Sequence, residues 1–215
     1  MLHILEEKIK PENINKRINN MDSFKNYEKG YLQLIIGPMF SGKTSEIINL
    51  SKQYKLSKMN VIVINYAEDK RYDETKLSTH DKVKLDCINS LTISDVLTEE
   101  IIRENDVFLI NEGQFFNDLK YNVVKLVEKY NKIVHVCGLD GDFKRNGFSQ
   151  IIDLVPLSDD ILKKTSICMI CENGTRALFS HRITDETDIK VIGSDNYIPL
   201  CRKCFITENI KSTNN

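Results

Sequence analysis

The segment Gly37-Pro38-Met39-Phe40-Ser41-Gly42-Lys43-Thr44 follows directly on the apolar run Leu32-Gln33-Leu34-Ile35-Ile36 and fits the pattern G-x-x-x-x-G-K-[ST]. In such a loop the glycines let the chain turn tightly and aim backbone N–H groups at phosphate oxygens. Residues Gly37 to Ser45 are therefore the candidate phosphate cradle. Lys43 supplies a positive charge for the outer phosphates, and the Thr44 hydroxyl suits Mg²⁺. Residues 45–58 are expected to form a helix whose positive N-terminus faces the anion. An ordinary glycine turn is the competing reading. The strand before the loop and the helix after it favour the nucleotide site.

A second constellation lies near the C-terminus. Cys168-Met-Ile-Cys171 and Cys201-Arg-Lys-Cys204 are two C-x-x-C units, while Cys87 and Cys137 stand alone. Four thiolates in this spacing suit a closed tetrahedral Zn²⁺ site, with a pair of redox motifs or incidental buried thiols as alternatives. A structural zinc would staple a segment too small for a core of its own, and residues 172–200 would be a loop pinned at both ends. His3, His80, His135 and His181 form no ligand cluster.

Positioning these groups falls to an alternation of strands and helices. Short β-branched runs occur at Tyr31–Ile36, Val61–Tyr66, Val107–Ile110, Ile133–Cys137 and Ile151–Val155. Helical patterns separate them: residues 44–57, then 94–104, then a segment capped by Asn117. Ser158-Asp159-Asp160 is expected to start one more short helix. The fold class is α/β, a mostly parallel sheet with helices on both faces plus a small zinc-ribbon unit. Residues 1–29 are expected as a disordered extension, 30–157 as the α/β domain, 158–206 as the zinc-bearing domain and 207–215 as a disordered tail.

Ligands of such sheets bind beyond the carboxyl ends of the strands. The second strand leads to Asp69 and Arg71, the latter a fork suited to phosphate. A solvated charged loop is the plainer reading of that run. The third strand ends at Asn111, where phosphate-loop enzymes normally place an acid near Mg²⁺, and Glu112 comes next. The fourth ends in Gly138-Leu139-Asp140-Gly141-Asp142-Phe143, which sets an aromatic ring among polar groups.

Bulk composition narrows the classes. The 215 residues carry a net charge of −1, which disfavours a nucleic-acid coat. No apolar run has the length of a membrane span, and the N-terminus lacks the apolar core of a signal peptide. A soluble, cytoplasmic protein is the expectation.

The order GPMFSGKT, YAEDKRY, THD, EGQFF, GLDGDF, CMIC, LFSHR and Y-x₃-CRKC resembles the thymidine kinases of cellular and poxviral type, over about residues 31–205. The resemblance implies a phosphate-loop domain with a zinc-bearing lasso, assembled as a homotetramer, that transfers the ATP γ-phosphate to the thymidine 5′-hydroxyl. It implies Glu112 as general base and Arg71 beside the transferring phosphoryl group. Mg²⁺ would be held by Thr44 and Asn111. The nucleoside would meet Met39, Asp69, Phe115, Leu139, Phe143, Ser180 and Tyr197. Zinc would sit on Cys168, Cys171, Cys201 and Cys204, as a structural ion. Asn111 stands where the family has Asp, so weaker Mg²⁺ binding is expected, relieved by Asn111→Asp. Two other readings compete: an ATP-binding regulator with little turnover, and a zinc-ribbon nucleic-acid binder.

Overall fold

The structure is a computed structural model that describes residues 29–68, 76–78, 84–184, 186, 188 and 196–213. Its frame is a six-stranded sheet. In chain order the elements are β1 (Tyr31–Ile36), α1 (Lys43–Leu56), β2 (Val61–Tyr66), the short β3 (Lys76–Ser78) and β4 (Lys84–Asp86), β5 (Ile88–Ser90), α2 (Glu99–Glu104) and β6 (Val107–Asn111). Then come α3 (Leu119–Val124), β7 (Ile133–Gly138), α4 (Ser149–Ile152) and β8 (Asp160–Lys163). The sheet order is β5-β2-β6-β7-β1-β8, with every neighbouring pair parallel.

Alternation along the strands divides the core. Leu32, Leu34, Ile36, Phe108, Ile110, Val134 and Val136 pack with Phe116, Leu119, Val123, Leu126, Ile151 and Leu154. The other face carries Ile35, Val63, Leu109 and Cys137 against Ile47 and Tyr54 of α1. That second face also holds a buried histidine. His135 bonds Tyr54 Oη through Nε2 (2.8 Å) and Gln33 Oε1 through Nδ1 (2.8 Å). Gln33 Nε2 donates to Asp160 (2.6 Å), so its oxygen must face the ring. The proton is thereby assigned to Nδ1, and Nε2 accepts from the tyrosine.

Burial pushes His135 down to about 4, against the opposing pull of Asp160. Because the folded pKa lies below the unfolded value of about 6.5, the unfolded chain binds the extra proton. This contribution is complete above pH 6.5 and is lost as pH falls toward 4, by about 3 kcal/mol in all. Urea unfolding of the native chain and of His135→Gln should therefore show a stability difference that shrinks in favour of the variant across this window. Parallel pH profiles would contradict the assignment.

Several expected elements take another form. Residues 151–155 are no strand: Ile151 and Leu154, three apart, both enter the core, and Ser149–Ile152 is helical. The expected helix at 158–164 is instead strand β8. Its acids are spent across the sheet, where Asp159 accepts from Leu32 N–H (2.8 Å) and Asp160 from Gln33. The main sheet thus continues past residue 157. The helix expected over 94–104 shortens to α2, capped by Thr98, which accepts from Ile101 N–H (3.2 Å). Asp118, rather than Asn117, precedes α3, and its carboxylate binds Ile93 N–H (3.1 Å) and Ser94 N–H (2.8 Å). α3 runs on into a π-helical turn at Lys125–Lys129.

The C-terminal unit consists of β9 (Ser166–Ile167), β10 (Arg176–Ala177), β11 (Phe179–Arg182), β12 (Tyr197–Leu200) and α5 (Arg202–Thr213). β9 pairs with β10 and β11 with β12, both antiparallel. The tail expected to be disordered is helical through Thr213, anchored by the buried Phe205. No helix among the described residues is long and apolar enough to cross a membrane.

Candidate active site and metal centre

The phosphate loop joins β1 to α1 and is braced from a distant part of the chain. Lys164 N–H donates to Ile36 C=O (2.8 Å), extending the β8 pairing. The Lys164 carbonyl would lie 2.3 Å from a Cβ at Gly37, so only glycine fits there. Ser166 Oγ donates to Phe40 C=O (3.1 Å), and Ser180 Oγ accepts from Met39 N–H (2.9 Å). Glu46, in the first turn of α1, would repel a phosphate. Lys164 Nζ pairs with it at 2.7 Å and offsets that charge. The Lys43 ammonium donates to Pro38 C=O (2.7 Å) and lies near Ser41 Oγ (3.5 Å), curled over its own loop. Thr44 and Ser45 follow in the first turn of α1, half-buried and exposed respectively.

Glu112 leaves β6 with φ 54, a left-handed conformation that is uncommon outside glycine and clusters at functional sites. It is buried, and its carboxylate accepts from Gln114 Nε2 (2.6 Å). Gln114 Oε1 in turn accepts from Leu139 N–H (3.0 Å). One side chain therefore ties the ends of β6 and β7 together and aims the acid. A Cβ at Gly138 would come within 2.6 Å of Gln114 Oε1, so the clamp depends on glycine there as well.

The aromatic candidates sit around these strand ends. Phe115 is half-buried, with ring centroids 5.4 Å from Tyr66 and 6.3 Å from Phe148. Leu139 is half-buried just after β7. The Arg182 guanidinium covers Phe143, 3.8 Å from the ring centroid. Arg182 also donates to the carbonyls of Glu186 (2.8 Å) and Asp188 (2.5 Å) and to the Tyr197 hydroxyl. Ser180 and Tyr197 are thus buried on β11 and β12, one hydroxyl on the phosphate-loop backbone and the other on Arg182. Asp69 and Arg71 lie outside the described residues.

The four clustered cysteines converge in space. Their sulfurs all lie within 4.8 Å of one another, with Cys171 3.7 Å from Cys201 and 3.4 Å from Cys204. A zinc tetrathiolate with Zn–S near 2.3 Å has S···S separations of about 3.8 Å. A disulfide needs about 2.05 Å, so the spacing fits a shared cation and not a bond. Burial would raise the Cys168 thiol, but backbone N–H donors from Cys201, Cys171 and Ile170 prevail and hold it at about 6. Cys204 is pushed up to about 12, chiefly by its hydrogen bond with Cys171. Cys171 and Cys204 are thus held protonated by their neighbours, an effect that a central cation would reverse.

The thymidine kinase family model matches residues 30–205. The chain belongs to the thymidine kinase family. It is 42% identical to the thymidine kinase of Vaccinia virus (strain Western Reserve) over 178 residues, which cover 82% of this chain and 97% of that protein. The Variola virus (isolate Human/India/Ind3/1967) thymidine kinase is 43% identical over the same shares. That of Monkeypox virus is 42% identical.

In this thymidine kinase family member, the loop, the acid and the cysteines stand out in the sequence, whereas the residues that support them do not. Gln114 stands two residues after Glu112, yet nothing in its spacing announces the bond to Leu139. Lys164, Ser166 and Arg182 act through partners up to 128 residues away.

Proposed function

We propose that this protein transfers the γ-phosphate of ATP to the 5′-hydroxyl of thymidine, giving ADP and the 5′-monophosphate, with deoxyuridine as a second acceptor. The observation that carries this reading is the pairing, at one end of the sheet, of a braced phosphate loop with a buried, clamped carboxylate. The acceptor oxygen attacks the γ-phosphorus, the bond to the ADP oxygen breaks, and the proton passes to Glu112. Gln114 holds that carboxylate before the substrate arrives. Lys43 exchanges Pro38 C=O for phosphate oxygens, and Arg71 steadies the moving phosphoryl group.

Mg²⁺ fits Thr44 at the start of α1 and Asn111 at the end of β6. Asn111 Oδ1 is a buried acceptor with no donor among the described residues. When bound, the ion screens charge on the phosphates. Phe115, Leu139 and Phe143 supply an apolar setting for a flat base, joined by Met39, Asp69 and Tyr197, while Ser180 holds the loop beside them. Cys168, Cys171, Cys201 and Cys204 hold structural Zn²⁺. The family resemblance supports a cytoplasmic homotetramer with residues 30–157 as the kinase domain. The division is better drawn after Lys163, where the sheet ends, and the zinc-bearing lasso then follows to residue 206.

A transfer assay with ATP and each of the four common deoxynucleosides tests the reading. Turnover should be confined to thymidine, with weaker use of deoxyuridine where that is added. Absence of turnover at saturating Mg²⁺, with ATP still bound, would favour the regulator. That alternative draws its support from Asn111 alone.

A further inference from the structure

Three asparagines stand side by side at the carboxyl ends of adjacent parallel strands. Asn65 on β2 is in register with Asn89 on β5 and with Asn111 on β6. Asn111 Nδ2 donates to Asn65 Oδ1 (2.9 Å), and Asn65 Nδ2 donates to Asn89 Oδ1 (2.9 Å). Asn65 Nδ2 also donates to the Tyr66 carbonyl at 3.3 Å. This last contact sets the direction of the ladder. A backbone carbonyl only accepts, so Asn65 must turn its NH₂ toward it and its oxygen toward Asn111. Asn111 then answers with its own NH₂, which leaves its oxygen as the loose end. That oxygen is buried and meets no donor among the described residues, on a residue 1% exposed. An unmet buried acceptor is costly, and this one sits at the strand ends where ligands of such sheets bind.

We propose that Asn65, anchored by Asn89 and the Tyr66 carbonyl, is a positioning residue that fixes the Asn111 amide with its oxygen presented to the hydrated Mg²⁺ of the nucleotide. The proposal rests on the reading of Asn111 as an Mg²⁺ acceptor. It explains how a neutral side chain can serve where an acid is usual: the ladder removes the amide's freedom to offer NH₂ to a cation. It also changes what Asn111→Asp should do. A carboxylate has no donor for Asn65 Oδ1, and turning Asn65 around would set its oxygen against the Tyr66 carbonyl. Asn111→Asp alone is therefore expected to lower the melting temperature. A raised one would overturn the direction assigned to the ladder.

The direct test is Mn²⁺ binding to the full-length protein with a non-hydrolysable ATP analogue, followed by electron paramagnetic resonance. Circular dichroism checks each variant's fold. Asn65→Leu and Asn111→Leu should both weaken Mn²⁺ binding in the complex by about tenfold, as loss of an outer-shell partner does. Analogue binding without metal should stay unchanged. If only Asn111→Leu weakens binding, the positioning role of Asn65 is overturned and the acceptor role of Asn111 stands. If neither does, both fall. Should Asn65→Leu fail to fold, Asn89→Ala at the half-buried edge should weaken binding in the same direction by a smaller factor. Unchanged binding in that variant overturns the ladder.

Discussion

Glu112→Gln is expected to lower the rate of phosphoryl transfer by about 10²–10⁴-fold, the usual contribution of a positioned general base. The substitution keeps size and an acceptor oxygen for Gln114, so the clamp to Leu139 survives and the fold should be intact. Binding of ATP, which the proposed function assigns to the loop at 37–45, should be little affected. Comparing kcat with KM for both substrates separates these effects: the loss should fall on kcat. Transfer at the native rate would remove Glu112 from the chemistry. A loss confined to KM would make it a binding group.

The second large effect is expected at the cysteine cluster. Cys204→Ser, or prolonged treatment with a strong chelator, should abolish activity and release about one zinc per chain. The small core there contains Cys168, Ala177, Leu200, Cys201, Cys204 and Phe205, with the cysteines themselves supplying much of it. Without the ion, four thiols remain packed together and too little apolar surface is left to hold the unit. The damage should reach the phosphate loop, because Ser180 and Ser166 bond Met39 and Phe40 from this unit. Hydrogen exchange should thus report loss of protection at Met39 N–H on zinc removal. Full activity in zinc-free protein would contradict the structural role.

The sequence made the parallel sheet legible where strands are buried on both faces, as at Val107–Ile110 and Ile133–Cys137, because unbroken apolar runs leave few alternatives. It misled at the edge. β8 is only four residues long and all four are exposed, so it lacks the longer apolar run of the buried strands, and its acids imitate a helix cap. Only the bonds of Asp159 and Asp160 to β1 make it a strand, and those are contacts across 127 positions. The site divides the same way. Glycines, lysine, glutamate and cysteines announce themselves by local spacing, whereas Gln114 and Asn65 gain their meaning from strand register.

The long-range bracing of the phosphate loop bears on how the chain acquires its shape. The loop begins only 37 residues into the sequence, yet its supports arrive with Lys164, Ser166 and Ser180. During synthesis from the N-terminus, β1 therefore emerges long before its partners β7 and β8 exist. Contacts of such separation slow folding because distant segments must meet before any bond offsets the lost freedom. The phosphate loop, made well before its supports, is accordingly finished only after them, and a nascent chain truncated before Ser180 should leave it incompletely braced.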